Sequence, residues 1–242
     1  MVSHELRTPL TVIAGAFEAL TVNPRQRTAE IIDMMVEMGQ RNCVRLEKLI
    51  EDLLDINKIE SGTANLECEP LDIDSTIAAC VEDIRTVAAQ SQISLEYKPL
   101  GQKASMSADP LRVAQIMSNL LSNAIKFSSL GSSVSVDVTM LDERVRIAVQ
   151  DSGRGIPAEF RPMVFKKFSR DPGVEADGTD GFGLGLSICQ QLVEQMHGTI
   201  DFESEEGVGT RFFFELPYED PLGSLPAEHL DNTVDRVKHA VA

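Results

Sequence analysis

The chain has no tryptophan, two tyrosines and 5% aromatic residues in 242, although 43% of it is hydrophobic. That balance describes a soluble intracellular protein with room for one large domain or two small ones. Cysteine is scarce as well: Cys43, Cys68, Cys80 and Cys189 are scattered, without a CxxC pair. This spacing excludes a zinc ribbon or disulfide framework and points to reduced thiols in a cytosolic compartment. No apolar run approaches the roughly 20 residues that span a bilayer, and the positive and apolar blocks of a signal peptide are missing from the start. Positive charge is the last deficit, with 22 Lys and Arg against 38 Asp and Glu and a formal net charge of -16. Long-range repulsion then excludes general affinity for nucleic acid or an anionic membrane surface.

What is present begins with two helical stretches. Val2, Leu6, Leu10, Ile13, Phe17 and Leu20 recur at helical spacing and stop at the turn signal Asn23-Pro24. A second helix is predicted from about Thr28 to Glu60, with Leu46, Leu49, Leu53 and Ile56 as a seam and Ser61-Gly62 as its end. A short loop makes the two antiparallel neighbours, and so thin a core calls for a partner, most simply a second copy closing a four-helix bundle. Pro9 lacks the N–H that would bond the Glu5 carbonyl, so a kink is predicted beside His4. Only three residues precede His4, and further supporting residues are expected upstream.

From about Thr63 the pattern becomes that of an α+β domain. Strands are predicted at 93–97, 134–141, 145–151, 199–204 and 210–216, and helices at 73–90, 111–127 and 186–196. Residues 218–242 read as a tail. On the helix ending at Phe127, the residues Gln115, Asn119, Asn123 and Lys126 share a polar side opposite Ile116, Leu120, Ala124 and Phe127. Amide oxygens there can bind Mg²⁺ and the ammonium can meet phosphate.

DSGRGIP, at 151–157, follows a strand; Gly153 and Gly155 allow a tight turn, and the Asp151 carboxylate can accept from an exocyclic amine such as that of adenine. GFGLGLSI, at 181–188, sets Gly181, Gly183 and Gly185 before a helix, followed by Leu186, where free backbone N–H groups favour phosphate. Between them, residues 169–180 lack periodicity and read as a lid with one base, Arg170, against four acids, anchored by Phe165 and Phe168. At the other end of the chain, His4 is followed by Glu5 and, one turn later, by Thr8.

In this order SHELRTPL, NLLSNAIKFS, DSGRGIP, FKKFSR and GFGLGLSI resemble the H, N, first glycine, F and second glycine boxes of sensor histidine kinases. HGTIDFESEEGVGTRFFFELP resembles the closing strands of that family, and the likeness covers about nine tenths of the chain. It implies an α-helical hairpin, half of a dimeric four-helix bundle, over residues 1–62. An α+β two-layer sandwich of the Bergerat (GHKL) type, shared with Hsp90, MutL and gyrase ATPases, would follow over 63–217.

The resemblance also assigns roles. His4 becomes the phosphoacceptor, Glu5 its general base, and Thr8 a positioner of water in dephosphorylation. Asn123 ligates Mg²⁺, Asn119 and Lys126 support the phosphates of ATP, and Asp151 reads adenine. Gly153, Gly155, Gly181, Gly183, Gly185, Leu186, Phe165, Phe168 and Arg170 complete the nucleotide site. The nucleotide domain would swing about a hinge near Ser61-Gly62 to reach His4. The expected partner is a response regulator receiver domain acting in trans, and the expected location is cytoplasmic, alone or as the cytoplasmic portion of a membrane-bound sensor. Two alternatives are an ATPase of the same fold that does not phosphorylate itself, and a degenerate kinase serving as a dimeric scaffold or mainly as a phosphatase.

Overall fold

A computed structural model describes residues 2–22, 28–61, 65–171 and 181–219. Helix α1 runs Val2–Val22 and helix α2 Ala29–Glu60. Thr28 starts α2 as predicted, its hydroxyl accepting from the Ile31 N–H at 3.3 Å. Ser61 ends it, its N–H donating to the Asn57 carbonyl at 3.0 Å. Pro9 is buried inside α1, which remains one helix through it. The apolar stripe predicted for α1 divides in two: Leu6, Ile13 and Leu20 are half-buried, while Leu10 and Phe17 stay 57% and 63% exposed. Helix α2 divides similarly, with Leu49, Ile56 and Ile59 buried and Val44, Ile50 and Leu54 exposed.

The second unit is a mixed seven-stranded sheet. Its strands are β1 Glu69–Asp72, β2 Ser94–Lys98, β3 Ser105–Ala108, β4 Ser133–Met140, β5 Arg144–Gln150, β6 Thr199–Glu205 and β7 Gly209–Glu219. The order is β1-β3-β7-β5-β4-β2, parallel only between β2 and β4. Strand β6 takes the other edge of β7 as far as Glu215, and β3 joins that edge beyond it at Tyr218. So β7 takes in the first two residues of the predicted tail; residues 220–242 lie outside the described residues.

Helices α3 Ile73–Gln90, α4 Pro110–Phe127 and α5 Gly185–Gln195 cover one face of the sheet. Period-two alternation explains why: Val134, Val136 and Val138 of β4, Val145, Ile147 and Val149 of β5, and Phe212, Phe214 and Leu216 of β7 are all buried. Their neighbours on the opposite face form charged pairs, Arg146 with Glu215 at 2.5 Å and Arg211 with Asp137 at 2.8 Å. This is the two-layer sandwich expected from the sequence.

The two units touch. Asp55 of α2 accepts from Gln115 Nε2 at 2.7 Å and meets Arg112 Nη1 at 3.5 Å, and Lys167 bonds Glu60. Gln115 therefore leaves the phosphate-binding set in which its helical spacing put it; its amide is committed to α2.

Candidate active site

Strand β5 delivers Asp151 to the end of the sheet, where the carboxylate is buried. Its Oδ1 accepts from the N–H groups of Gly153 at 2.8 Å and Thr210 at 3.2 Å. Among the described residues no protein hydrogen bond is recorded to Oδ2, so the orienting amides fill one oxygen and the other remains an acceptor for a ligand. Burial is the largest influence on its pKa and lifts it above the usual carboxylate value, against the lowering effect of the two amides.

The turn after Asp151 is shaped by close approach. Gly155 has φ +71°, and a Cβ there would stand 2.1 Å from the Glu205 carbonyl oxygen. A Cβ on Gly153 would meet the Phe127 carbonyl oxygen at 2.1 Å, which ties this turn to the end of α4. Gly209, not singled out from the sequence, presses on the Asp151 carbonyl in the same way, at 2.2 Å. Its signal lay in the GVGT of the closing strands, beside the Thr210 amide that orients Asp151.

Helix α4 begins at the Asp109 cap, whose Oδ1 accepts from the N–H groups of Leu111 and Arg112 at 3.0 and 3.2 Å. Its buried stripe, including Ile116, Leu120 and Ala124, packs on the core, and this turns Asn119, Asn123 and Lys126 into a cavity of about 1240 Å³. Among the described residues, Asn119 Nδ2 is buried without a hydrogen-bond partner. Phe127, predicted as core, instead borders the cavity, with Lys126 Nζ 4.9 Å and the Arg154 guanidinium 5.3 Å from its ring centroid.

The same cavity takes in Gly155, Arg170, Gly181, Gly183, Gly185 and Leu186. Gly183 has φ +70°, and its carbonyl accepts from the Phe168 N–H at 2.8 Å. That bond pins the FKKFSR segment to the glycine-rich turn. Gly181 needs neither positive φ nor open space, since a Cβ there meets nothing within 4 Å. Phe165 and Phe168 do not line the cavity. Phe165 packs on Phe202 and Phe212, with centroids 5.9 and 6.3 Å away, and acts as an anchor. Of the predicted lid, Ser169, Arg170 and Asp171 line the cavity, and 172–180 lie outside the described residues.

At the far end the cavity is bounded by Thr8 and Val12 of α1. His4, one turn before Thr8, is 78% exposed, and its Nδ1 lies 3.4 Å from Oε1 of the less exposed Glu5. With the proton on Nδ1 and directed to Glu5, the lone pair is on Nε2 of an exposed ring. The Thr8 hydroxyl donates to the His4 carbonyl at 3.3 Å. A helix wall of two amides and an ammonium, a buried carboxylate with one oxygen open and an accessible imidazole thus border or adjoin one cavity.

Among the described residues, no group of three or more His, Cys, Asp or Glu is placed to hold a metal. A divalent cation here would depend on amide oxygens, phosphate and water, and this donor set fits Mg²⁺, which keeps several waters and is commonly held through substrate phosphates. All four cysteines are free. No helix among the described residues is long and apolar enough to cross a membrane.

Fold and cavity together define a nucleotide-binding module joined to a helical hairpin bearing a histidine. Residues 1–62 match the His Kinase A (phospho-acceptor) domain and residues 108–220 the histidine kinase-, DNA gyrase B- and HSP90-like ATPase family. The circadian input-output histidine kinase CikA of Thermosynechococcus vestitus is 34% identical over 236 residues, covering 95% of this chain and 32% of CikA. Sensor histidine kinase RcsC of Salmonella typhi is 34% identical over 218 residues, covering 89% and 22%. Full-length ShkA, solved with AMPPNP, aligns with TM-score 0.66 and 30% identity over 89% of this chain and 44% of ShkA. The chain belongs to the sensor histidine kinases and carries the parts of their catalytic core. It spans about a third or less of the length of the two curated relatives just named.

Proposed function

We propose that this chain transfers the γ-phosphoryl group of ATP to His4 and passes it on to an aspartate of a response regulator. The observation that carries this is the single cavity reaching from Asp151 to Thr8, one helical turn from an imidazole already engaged by Glu5. Asp151 Oδ2 accepts from the adenine amine, while Lys126 and the N–H groups opening α5 hold the phosphates. Mg²⁺, held by the Asn123 amide oxygen with Asn119 beside it, would offset charge on the phosphates.

His4 Nε2 attacks the γ-phosphorus as the bond to the β-phosphate oxygen breaks and ADP leaves. Glu5 receives the Nδ1 proton, so the ring does not carry a full positive charge beside the new P–N bond. His4 itself is not among the cavity-lining residues, and the nucleotide domain therefore moves relative to α1; of the predicted Ser61-Gly62 hinge, Gly62 lies outside the described residues. The Thr8 hydroxyl, at the cavity rim, can exchange its bond to the His4 carbonyl for a water that hydrolyses the phosphorylated regulator.

Residues 1–62 act as the dimerisation and phosphotransfer unit and 63–217 as the nucleotide unit. Exposed Leu10, Phe17, Val44, Ile50 and Leu54 support a second copy as the partner that completes the hairpin's core. Sedimentation of the parent chain as a dimer, and of Leu54→Glu as a monomer, would support this pairing; a parent monomer would exclude it. For the phosphotransfer reading, the chain is incubated with Mg²⁺ and γ-labelled ATP. The expected result is acid-labile, alkali-stable label on protein, absent from His4→Gln and Asn123→Ala. ATP hydrolysis without label would favour an ATPase, and binding without turnover a scaffold.

A further inference from the structure

Part of the nucleotide cavity's wall does not come from the nucleotide unit. Asp55 on α2 and Gln115 on α4 meet at 2.7 Å. Beyond that contact the cavity is lined by earlier residues of α2, from Met38 to Asp52, and by later residues of α4, from Ser118 to Phe127. The two helices therefore run past the cavity in opposite chain directions. At 1.5 Å per residue, Arg45 lies about 15 Å back from Asp55, while Asn123 and Lys126 lie about 12 and 16 Å on from Gln115, so they stand at one level.

Arg45 is also fixed by an independent contact. Its guanidinium carbon lies 4.9 Å from the ring centroid of Phe182, which sits between Gly181 and Gly183 in the turn opening α5. The cavity-lining cations among the described residues are Arg41, Arg45 and Lys48 from α2, and Lys126 and Arg170 from the nucleotide unit. The first three recur at spacings of four and three, on one helix face. Lys48 holds the buried Asp52 at 3.1 Å, and Arg41 meets Glu37 at 3.5 Å on an exposed surface. A triphosphate entering a chain with formal net charge -16 needs local cations, and most of those lining its cavity stand on α2.

We propose that α2 is a polyphosphate-binding wall: Arg45, flanked by Arg41 and Lys48, holds the phosphates of ATP against the glycine-rich turn while Asp151 holds the adenine. This rests on the ATP-binding reading above. Bound ATP then bridges α2 and the nucleotide unit, so the triphosphate favours the docked arrangement over the one that reaches His4. Adenosine lacks the phosphates and is indifferent to the wall.

Calorimetric titration of the full chain with ATP and with adenosine, in Mg²⁺, tests the wall in the parent, Arg45→Ala and Arg45→Lys. ATP affinity should fall about three- to tenfold in Arg45→Ala, the scale of partly exposed charge pairs. Adenosine affinity should not change, and Arg45→Lys should recover most of the loss. Unchanged ATP affinity in Arg45→Ala would overturn the proposal. So would equal losses for ATP and adenosine, which would mean that Arg45 acts only by packing on Phe182. A parent chain that binds neither ligand would overturn the nucleotide reading itself, and the proposal with it.

Discussion

In the proposed site, Asp151 concentrates the recognition of adenine in one side chain. Asp151→Asn keeps an oxygen for the Gly153 and Thr210 amides but can present an N–H where the adenine amine must donate. ATP affinity should drop about ten- to a hundredfold, the cost of losing a hydrogen bond to a charged group, with little change in Tm. Because burial raises the pKa of Asp151, the charged form opposes folding near neutral pH, and that cost fades as pH falls through the raised value. Binding has the opposite sign, since it needs the charged carboxylate. Titrated with adenosine, whose phosphate-free form avoids competing ionisations, affinity should begin to fall at a pH above the ordinary carboxylate range.

The glycines differ individually, which their shared motif conceals. Gly155→Ala must adopt φ +71° and displace the Glu205 carbonyl, so about 3 kcal/mol or more should be lost in urea denaturation. Gly181→Ala meets open space and should stay within about 0.5 kcal/mol of the parent.

Helix α4 shows what was legible at the level of elements. Its 3.6-residue period predicted both the buried stripe and the Asn119, Asn123, Lys126 face, and the cavity lies on that face. The period could not reveal that Gln115, on the same face, belongs to a contact with a residue 60 positions earlier. Strands β1 and β3 were not predicted. β1, Glu-Pro-Leu-Asp, is mostly exposed and contains a proline; β3, Ser-Met-Ser-Ala, has no β-branched residue, and both are held by pairing with neighbours.

The Asp109 cap joins these elements. Besides capping α4 it accepts from the Glu67 N–H at 3.1 Å, tying the segment after α2 to the nucleotide helix. Asp109→Ala removes three backbone hydrogen bonds around a buried carboxylate. A loss of about 2 kcal/mol, the upper end for an N-cap, should appear in chemical denaturation.

Across the two units, Leu49, Ile56 and Ile59 of α2 join the apolar core of the nucleotide unit, and polar contacts of modest strength add to that packing. Asp55 with Gln115 and Arg112, and Glu60 with Lys167, are partly exposed, and such pairs contribute about 1 kcal/mol or less each. If the docked arrangement must be left before His4 is reached, weakening it speeds the reaction. Asp55→Ala should raise the initial rate of autophosphorylation up to about fivefold at saturating ATP, read by label incorporation, with Tm nearly unchanged. None of these pairings was legible in the sequence, because they join side chains brought together only by the fold. The order of the boxes was legible, and so was the pairing of a helical hairpin with a sandwich.

The most direct test of the account is the identity of the phosphorylated atom. After incubation with ATP and Mg²⁺, the denatured chain is examined by ³¹P NMR and by phosphopeptide mapping at alkaline pH. The account predicts one phosphoramidate, on Nε2 of His4, because Glu5 occupies Nδ1. Phosphate on Nδ1, on another residue, or nowhere despite measurable ATP binding would contradict it.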